Sequence, residues 1–410
     1  MFDIIMLVID VRWILHCDLN NFFASVEMLK HPEYRNIPMA VSGDPNKRHG
    51  IILAKNEIAK KYGIYTPETV YSALKKCPKL ILVKPHRDEY VKYSNLVNDV
   101  YLEYTDRVER FSIDEAFLDI TESINIFGTP YEIAYKIKEE IKKKYGLTIS
   151  VGVSFNKSMA KLGSELKKPD AITVLDYDSY KSKIYHLPVE MLIYVGKNTK
   201  NKLNKMGIKT IGDLALSNKY RIVKHLGKLG EQIYNYANGI DDDRVKFYYE
   251  KDERKSVSNG ITFENDIDNV IELEKEFLKL ASKVSYSLRE INMKASIISI
   301  SLKDSMFVMS SRQKKIEYTN SYDNIVKAVI ELLNDNYING VKIRYICINA
   351  SGLKGENSDN VQLDFFTINN ENNKENKKRT TAMKAMDKLK HKYGDKVDYC
   401  SALKYNKKRE

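Results

Sequence analysis

The sequence predicts an α+β multidomain protein, and three observations lead there. At 410 residues the chain is too long for one ordinary domain. Up to about residue 183, short apolar runs alternate with amphipathic helical stretches. From about 184 the pattern becomes short helices punctuated by Gly196, Gly207, Gly212, Gly227, Gly230 and Gly239, and from 256 the strand–helix alternation returns for about a hundred residues.

Residues 14–18 read as a strand and 20–29 as a helix with Phe22, Phe23, Val26 and Leu29 on or near one face. Pro38-Met39-Ala40-Val41 is a short strand closed by the turn residues Ser42-Gly43-Asp44-Pro45. A strand over 50–54 runs into a lysine-rich helix over 56–62, which stops at Gly63. Helices follow over 90–104 and 131–144, and a strand over 148–153. In the later alternating unit, strands are expected over 256–263, 296–302, 306–311 and 342–350, with helices over 269–290 and 321–336. After Ser351-Gly352 the chain turns polar and Asn-rich, as a disordered linker does, interrupted by Gln362-Leu363-Asp364-Phe365-Phe366 and an amphipathic helix over 380–393.

Apolar residues make up 43% of the chain, enough for several cores. The net charge of +12 favours an acidic partner such as nucleic acid. Residues 372–410 alone carry +8, which leaves +4 for residues 1–371, so a nucleic-acid site in the body must be a local patch. The four cysteines, Cys17, Cys77, Cys347 and Cys400, are far apart and form no CxxC, which argues against a zinc site or a disulfide framework and fits the cytoplasm. The apolar run over 4–9 is short, lacks a basic flank and reads as a strand, so no membrane segment is expected.

The most informative stretch is Phe111-Ser112-Ile113-Asp114-Glu115-Ala116-Phe117-Leu118-Asp119. Apolar residues on both sides predict a buried hairpin with two adjacent acids at its tip. Buried neighbouring carboxylates repel each other and require cations. Asp18, ending the strand Ile14-Leu15-His16-Cys17-Asp18, is the first candidate for a third. Oxygen-only ligands suit hard cations, and two such ions suit phosphoryl or nucleotidyl transfer. Asp119 lies five residues beyond Asp114, about 16 Å along a strand, and reads as structural.

The segments Asp18-Leu19-Asn20-Asn21-Phe22-Phe23-Ala24-Ser25-Val26-Glu27 and Ser112-Ile113-Asp114-Glu115-Ala116 together resemble the signature of the Y-family translesion DNA polymerases, in particular a Gram-positive-like subgroup of the DinB branch. Three further segments match in order: Lys55 to Gly63, Val151 to Asp170, and Arg254-Lys255-Ser256-Val257. Several ordered motifs are far more specific than one pattern. The resemblance spans roughly 12–350 and implies a right-hand polymerase. It would have a palm over 1–30 and 78–183, small fingers over 31–77 and a helical thumb over 184–245. A linker over 246–253, a little finger over 254–351 and a tail over 352–410 complete it.

The resemblance also implies roles. Asp18, Asp114, Glu115 and the backbone carbonyl of Leu19 would hold two Mg²⁺ ions, with Glu115 the catalytic carboxylate. Phe23 would be the steric gate that selects dNTPs by excluding a 2′-hydroxyl. Asn21, Phe22, Lys60 and Lys168 would line the dNTP. Ala54, Glu57 and Lys60 depart from the family's commoner hydrogen-bonding residues and Arg, and Lys cannot form a bidentate fork. Gly196 and Lys197 belong to a helix-hairpin-helix in which the usual Gly-x-Gly is reduced to Val195-Gly196. Arg254, Lys255, Arg312, Lys314 and Arg344 would track duplex DNA from a little-finger sheet face. Gln362, Leu363, Phe365 and Phe366 resemble a peptide that binds the replication sliding clamp. The expected partners are primer–template DNA, dNTPs and that clamp, and a monomer is expected. Two other readings keep the acids but not the activity: a non-catalytic clamp- and DNA-binding accessory of the same fold, and a two-metal nuclease.

Overall fold

The computed structural model describes residues 12–44, 50–250 and 252–356, together with Ala385. The expected strand over 4–9, the peptide over 362–366 and, apart from Ala385, the helix over 380–393 lie outside the described residues. The chain divides into two compact units, Met1–Lys251 and Asp252–Glu410.

Among its described residues the first unit contains eight strands: β1 (Ile14–Leu19), β2 (Met39–Ser42), β3 (Ile52–Lys55), β4 (Ile81–Val83), β5 (Val108–Arg110), β6 (Glu115–Asp119), β7 (Ile149–Ser154) and β8 (Ile172–Leu175). Five form a sheet in the order β5-β6-β1-β7-β8, with β1 at its centre and antiparallel to both β6 and β7. β1 is buried along its whole length because each of its faces is covered. Alternate residues of a strand point to opposite faces. Leu15, Cys17 and Leu19 enter a core with Phe22 and Val26, with Tyr90, Val97 and Tyr101 of the helix Arg87–Leu102, and with Ile133, Ile137 and Ile141 of the helix Pro130–Tyr145. Ile14, His16 and Asp18 take the other face, which the helix Lys157–Leu166 covers.

That helix approaches closely because β7 carries Gly152, aligned with His16. A Cβ at Gly152 would stand 1.8 Å from the Ala160 carbonyl oxygen, a distance no side chain tolerates.

A second sheet, β3-β2-β4, is small. Asn56 organises it. Its side chain accepts from Ala59 N at 2.9 Å, capping the helix Glu57–Lys61, and from Met39 N, while donating to the carbonyls of Tyr34 and Ile37. Beyond β8 come the helices Lys197–Lys205, Ile211–Ala215 and Lys219–Ala237, the last broken at Gly227. They share a core with Met159, Leu162 and Leu175.

Among its described residues the second unit has four antiparallel strands, β9 (Ser256–Ile267), β10 (Met293–Asp304), β11 (Met309–Thr319) and β12 (Ile343–Gly355), in the order β11-β10-β12-β9. The helices Val270–Glu290 and Tyr322–Asn336 cover one face. The strand expected over 306–311 is displaced. Residues 305–308 form the hairpin turn, with Phe307 at φ +65°, and β11 begins only at Met309. Among the described residues, no helix is long and apolar enough to cross a membrane.

Candidate active site

The site follows from the register of β1 and β6. Asp18 stands directly opposite Glu115, so both side chains emerge on the face covered by the helix Lys157–Leu166. The turn over 111–114 delivers Asp114 one residue earlier. It is latched to the end of β1 by Leu19 N, which donates to the Asp114 carbonyl at 3.0 Å. Ser112 Oγ donates to Asp114 Oδ1 at 2.6 Å and accepts from Glu115 N at 3.1 Å, which holds the turn closed.

The sequence predicts that the Asp114–Glu115 pair is buried. It is not: Asp114 and Glu115 are partly exposed, and Phe111 is exposed. Asp18 is the buried acid, at 6% exposure. A hairpin tip at the rim of a sheet keeps one side open, whereas β1 is central.

The covering helix brings the countercharges. Lys161 Nζ lies 3.0 Å from both oxygens of Glu115. Lys168 Nζ lies 2.8 Å from Asp18 Oδ2 and 2.7 Å from Glu165 Oε1. Oxygens of Asp18, Glu115 and Glu165 all come within 4.8 Å of one another. Asp114 is not part of that cluster of three. Glu165 is the acid that sequence reasoning missed. The available signal was spacing: Lys161, Glu165 and Lys168 recur at i, i+4 and i+7, one side of a helix.

Electrostatics separate the acids. Burial pushes the Asp18 carboxyl up to about 7, against the pull of Lys168. For Glu115 burial acts in the same direction, but contacts with His16 and Lys161 outweigh it and lower its pKa. His16 is fully buried behind Glu115. Ser164 Oγ donates to the Lys161 carbonyl, so it accepts from His16 Nδ1 at 2.8 Å. His16 Nε2 is left 3.8 Å from Glu115 Oε2 without a hydrogen-bond partner. The donor set suits a hard divalent cation: every side chain in the acidic cluster is a carboxylate, and lysines supply positive charge there.

The helix Phe22–Lys30 starts three residues after β1. Phe22 is 2% exposed and belongs to the core. Phe23 is partly exposed and stacks on Tyr90 at 4.2 Å between ring centroids. Tyr90 is anchored in turn, its hydroxyl donating to Glu27 Oε1 at 2.5 Å with His86 Nδ1 2.9 Å from the same atom. Asn21 Nδ2 donates to Glu57 Oε1 at 2.9 Å, and Lys60 Nζ is 3.8 Å from that oxygen. Glu57, absent from the sequence-predicted site, therefore links the start of the Phe22–Lys30 helix to the lysine-bearing helix Glu57–Lys61.

Gly196 caps the helix Lys197–Lys205, with exposed Lys197 as its first residue. Tyr194, two residues before Gly196, has φ +69°. It thus adopts the left-handed backbone that the first glycine of a Gly-x-Gly turn provides without strain.

In the second unit, Arg254 and Lys255 are exposed just before β9. The strand cations do not share one open face. Lys314 and Arg312 stand opposite Ile298 and Ile300, whose side chains are buried against the helices. Lys314 accordingly pairs with Glu331 of the helix Tyr322–Asn336. Arg344 is half-buried, its guanidinium 4.4 Å over the Phe307 ring and its Nε 3.6 Å from Asp266. The open face instead carries Ser299, Ser301, Ser311, Gln313 and Asn349, with Lys303 and Lys315 in the same register. Strand register thus separates Arg312 and Lys314 from the open face, where Lys303 and Lys315 are strand cations. Gln362, Leu363, Phe365 and Phe366 lie outside the described residues.

Residues 17–165 match the impB/mucB/samB family, 254–365 the C-terminal domain of that family, and 194–241 the DNA polymerase-iota thumb domain. A DNA polymerase IV of Acetivibrio thermocellus is 42% identical, across 87% of this chain and 89% of its own length. One from Clostridium kluyveri is 37% identical across 94% and 96%, and one from Listeria innocua 35% across 86% and 98%. The chain belongs to the DNA polymerase IV branch of the Y family. A Y-family DNA polymerase chimera of known structure superposes with a TM-score of 0.73 at 24% identity, covering 83% of this chain and 98% of its own. The Y-family fold accounts for the layout: palm, small fingers, helical thumb and little finger.

Proposed function

We infer that this chain is a template-directed, divalent-metal-dependent DNA polymerase of the translesion class, which joins dNTPs to a primer 3′-hydroxyl and releases pyrophosphate. The observation that carries the reading is the opposed pair Asp18 and Glu115, with Asp114 latched beside them, in a chain whose relatives are DNA polymerases.

Two Mg²⁺ ions would be held by Asp18, Asp114, Glu115 and the Leu19 carbonyl, and Glu165 is close enough to add a carboxylate. Bound there, such ions lower the pKa of the primer hydroxyl and neutralise the triphosphate and leaving pyrophosphate. The rest falls to the chain's own groups. Lys161 keeps Glu115 ionised, and Lys168 orients Asp18 and opposes the effect of its burial. Lys168, at the edge of the cluster, and Lys60, beside Glu57, are the cations for the triphosphate. Asn21 faces the fingers through Glu57, and Phe22 contributes through its backbone. Phe23, braced by Tyr90, excludes a 2′-hydroxyl from the sugar.

Gly196 and Lys197 offer a helix N-terminus and a cation to a DNA phosphate. Arg254, Lys255 and Arg312 are exposed cations for the backbone, whereas Lys314 and Arg344 must first leave Glu331 and Asp266. Gln362, Leu363, Phe365 and Phe366 form a clamp-binding peptide, and the polymerase works as a cytoplasmic monomer.

The test is primer extension with a single dNTP and Mg²⁺, comparing the wild type with Asp114→Ala. The variant is expected to lose at least about 10³-fold in rate, since charge stabilisation at the transferring group is the main catalytic term, while still binding DNA. Degradation of the DNA would establish a nuclease. Binding without extension by the wild type would establish the accessory protein.

A further inference from the structure

The fingers carry a feature that nucleotide transfer does not use. Residues 50–84 hold seven lysines against two glutamates, more net positive charge than residues 1–371 as a whole. Within the same segment three tyrosines are exposed: Tyr62, Tyr65 at 57% and Tyr71 at 70%. Each lies beneath a lysine ammonium. Lys75 Nζ is 4.5 Å from the Tyr71 ring centroid, Lys76 Nζ 4.3 Å from that of Tyr65, and Lys79 Nζ 5.6 Å from that of Tyr62.

The local structure explains the pairing. Tyr71 and Lys75 are one turn apart on the helix Val70–Lys76. Lys76 is a strut. Its ammonium reaches the Gly63 carbonyl at 2.8 Å and the buried Glu68 carboxylate at 2.8 Å, and so spans the loop that bears Tyr65. Glu68 also accepts from Tyr65 N at 2.8 Å and from Ser72 Oγ at 2.9 Å, which fixes the base of the loop. The rings are thus held in place at solvent-facing positions at little further entropic cost. Three exposed rings therefore stand among cations within one short segment.

We propose that Tyr62, Tyr65 and Tyr71 with Lys75, Lys76 and Lys79 form a stacking platform for single-stranded DNA, the unpaired template still to be copied. Any base presents a π-face to a tyrosine ring, whatever the sequence, and the lysines track the phosphates between bases. Duplex DNA has its bases already stacked and gains only from the lysines. The fingers are also in hydrogen-bond contact with the start of the Phe22–Lys30 helix through Asn21 and Glu57, which keeps the platform tied to the palm. The inference rests on DNA being the substrate.

The experiment is fluorescence anisotropy of the full-length protein with a labelled oligothymidine and with a blunt duplex of the same length. The double variant Tyr65→Ala/Tyr71→Ala is expected to bind the single strand about tenfold more weakly and the duplex within about twofold of the wild type. Tyr65→Phe/Tyr71→Phe, which keeps both rings, is expected to retain wild-type affinity. Both residues are exposed, so far-UV circular dichroism is expected to be the same for all three proteins. The proposal is overturned by unchanged single-strand affinity in the alanine variant, by equal losses on both DNA forms, or by an equal loss in the phenylalanine variant. Primer extension by the wild type is read separately, so a failure of the polymerase reading remains distinct from a failure of the platform.

Discussion

Asp18 concentrates the electrostatic cost of the site. Folding raises its carboxyl from about 4 in an unfolded chain up to about 7, chiefly by burial. A carboxyl raised in this way favours the folded state while protonated. That contribution is whole below about pH 4 and is lost as the pH rises through about 7. A divalent cation takes the proton's place and binds better once the proton is gone. The gain in melting temperature on replacing chelator with millimolar Mg²⁺ is therefore expected to be larger at pH 8 than at pH 6. In Asp18→Asn that difference should vanish. Equal gains at both pH values in the wild type would refute the assignment. Phe23 makes a second prediction at this scale. Its ring is fixed against Tyr90, so Phe23→Ala opens space rather than letting a neighbour fill it. Incorporation of rNTPs relative to dNTPs should rise on the order of 10²-fold, read from single-nucleotide insertion rates. An unchanged ratio would move the gate elsewhere.

Among the elements, the helix Lys157–Leu166 and the segment just after it contribute most to the site beyond β1 and β6. They supply Lys161, Glu165 and Lys168 and close over His16, and all of this depends on one missing side chain. Gly152→Ala would drive a methyl against the Ala160 carbonyl and the Ser164 amide, both backbone atoms that cannot step aside. The expected cost is about 3 kcal/mol or more, seen as a lower urea midpoint, together with a loss of metal-dependent stabilisation as the helix lifts. A variant with wild-type stability would refute this close packing of the helix on β7. Gly163, facing Gly152 from the helix, makes the contact mutual.

At the scale of the molecule, the two units have separate cores. Every member of the core around Phe277, Val284, Ile298 and Leu333 lies beyond residue 251. A fragment spanning 252–356 is therefore expected to fold alone, with a single cooperative thermal transition by circular dichroism. A broad, non-cooperative melt would show that it needs the rest of the chain. Charge is divided just as unevenly: the tail over 372–410 holds +8 of the +12. Non-specific DNA binding should thus depend strongly on salt through the tail, over and above the fingers.

Much of this protein was legible in the sequence. The short apolar runs located β1, β6 and β7, and the 3.6-residue pattern located the helices Arg87–Leu102, Pro130–Tyr145 and Val270–Glu290 to within a few residues. Asp18, Asp114 and Glu115 stood out because acids at the ends of apolar runs are costly without a purpose. Other features were decided only by tertiary structure. Periodicity says that Lys314 and Arg312 share a face of β11, but only register with Ile298 and Ile300 says that it is the helix-covered face. Glu165 reaches Asp18 only because Gly152 lets its helix settle onto β7. Tyr62, Tyr65 and Tyr71 come under cations only because Lys75, Lys76 and Lys79 fold over them. The sequence by itself determined which elements form and which acids stand at the ends of apolar runs, because those depend on local pattern. Which charges neutralise those acids, and which of them is buried, depended on how elements distant in the chain pack together, and no local pattern encodes that.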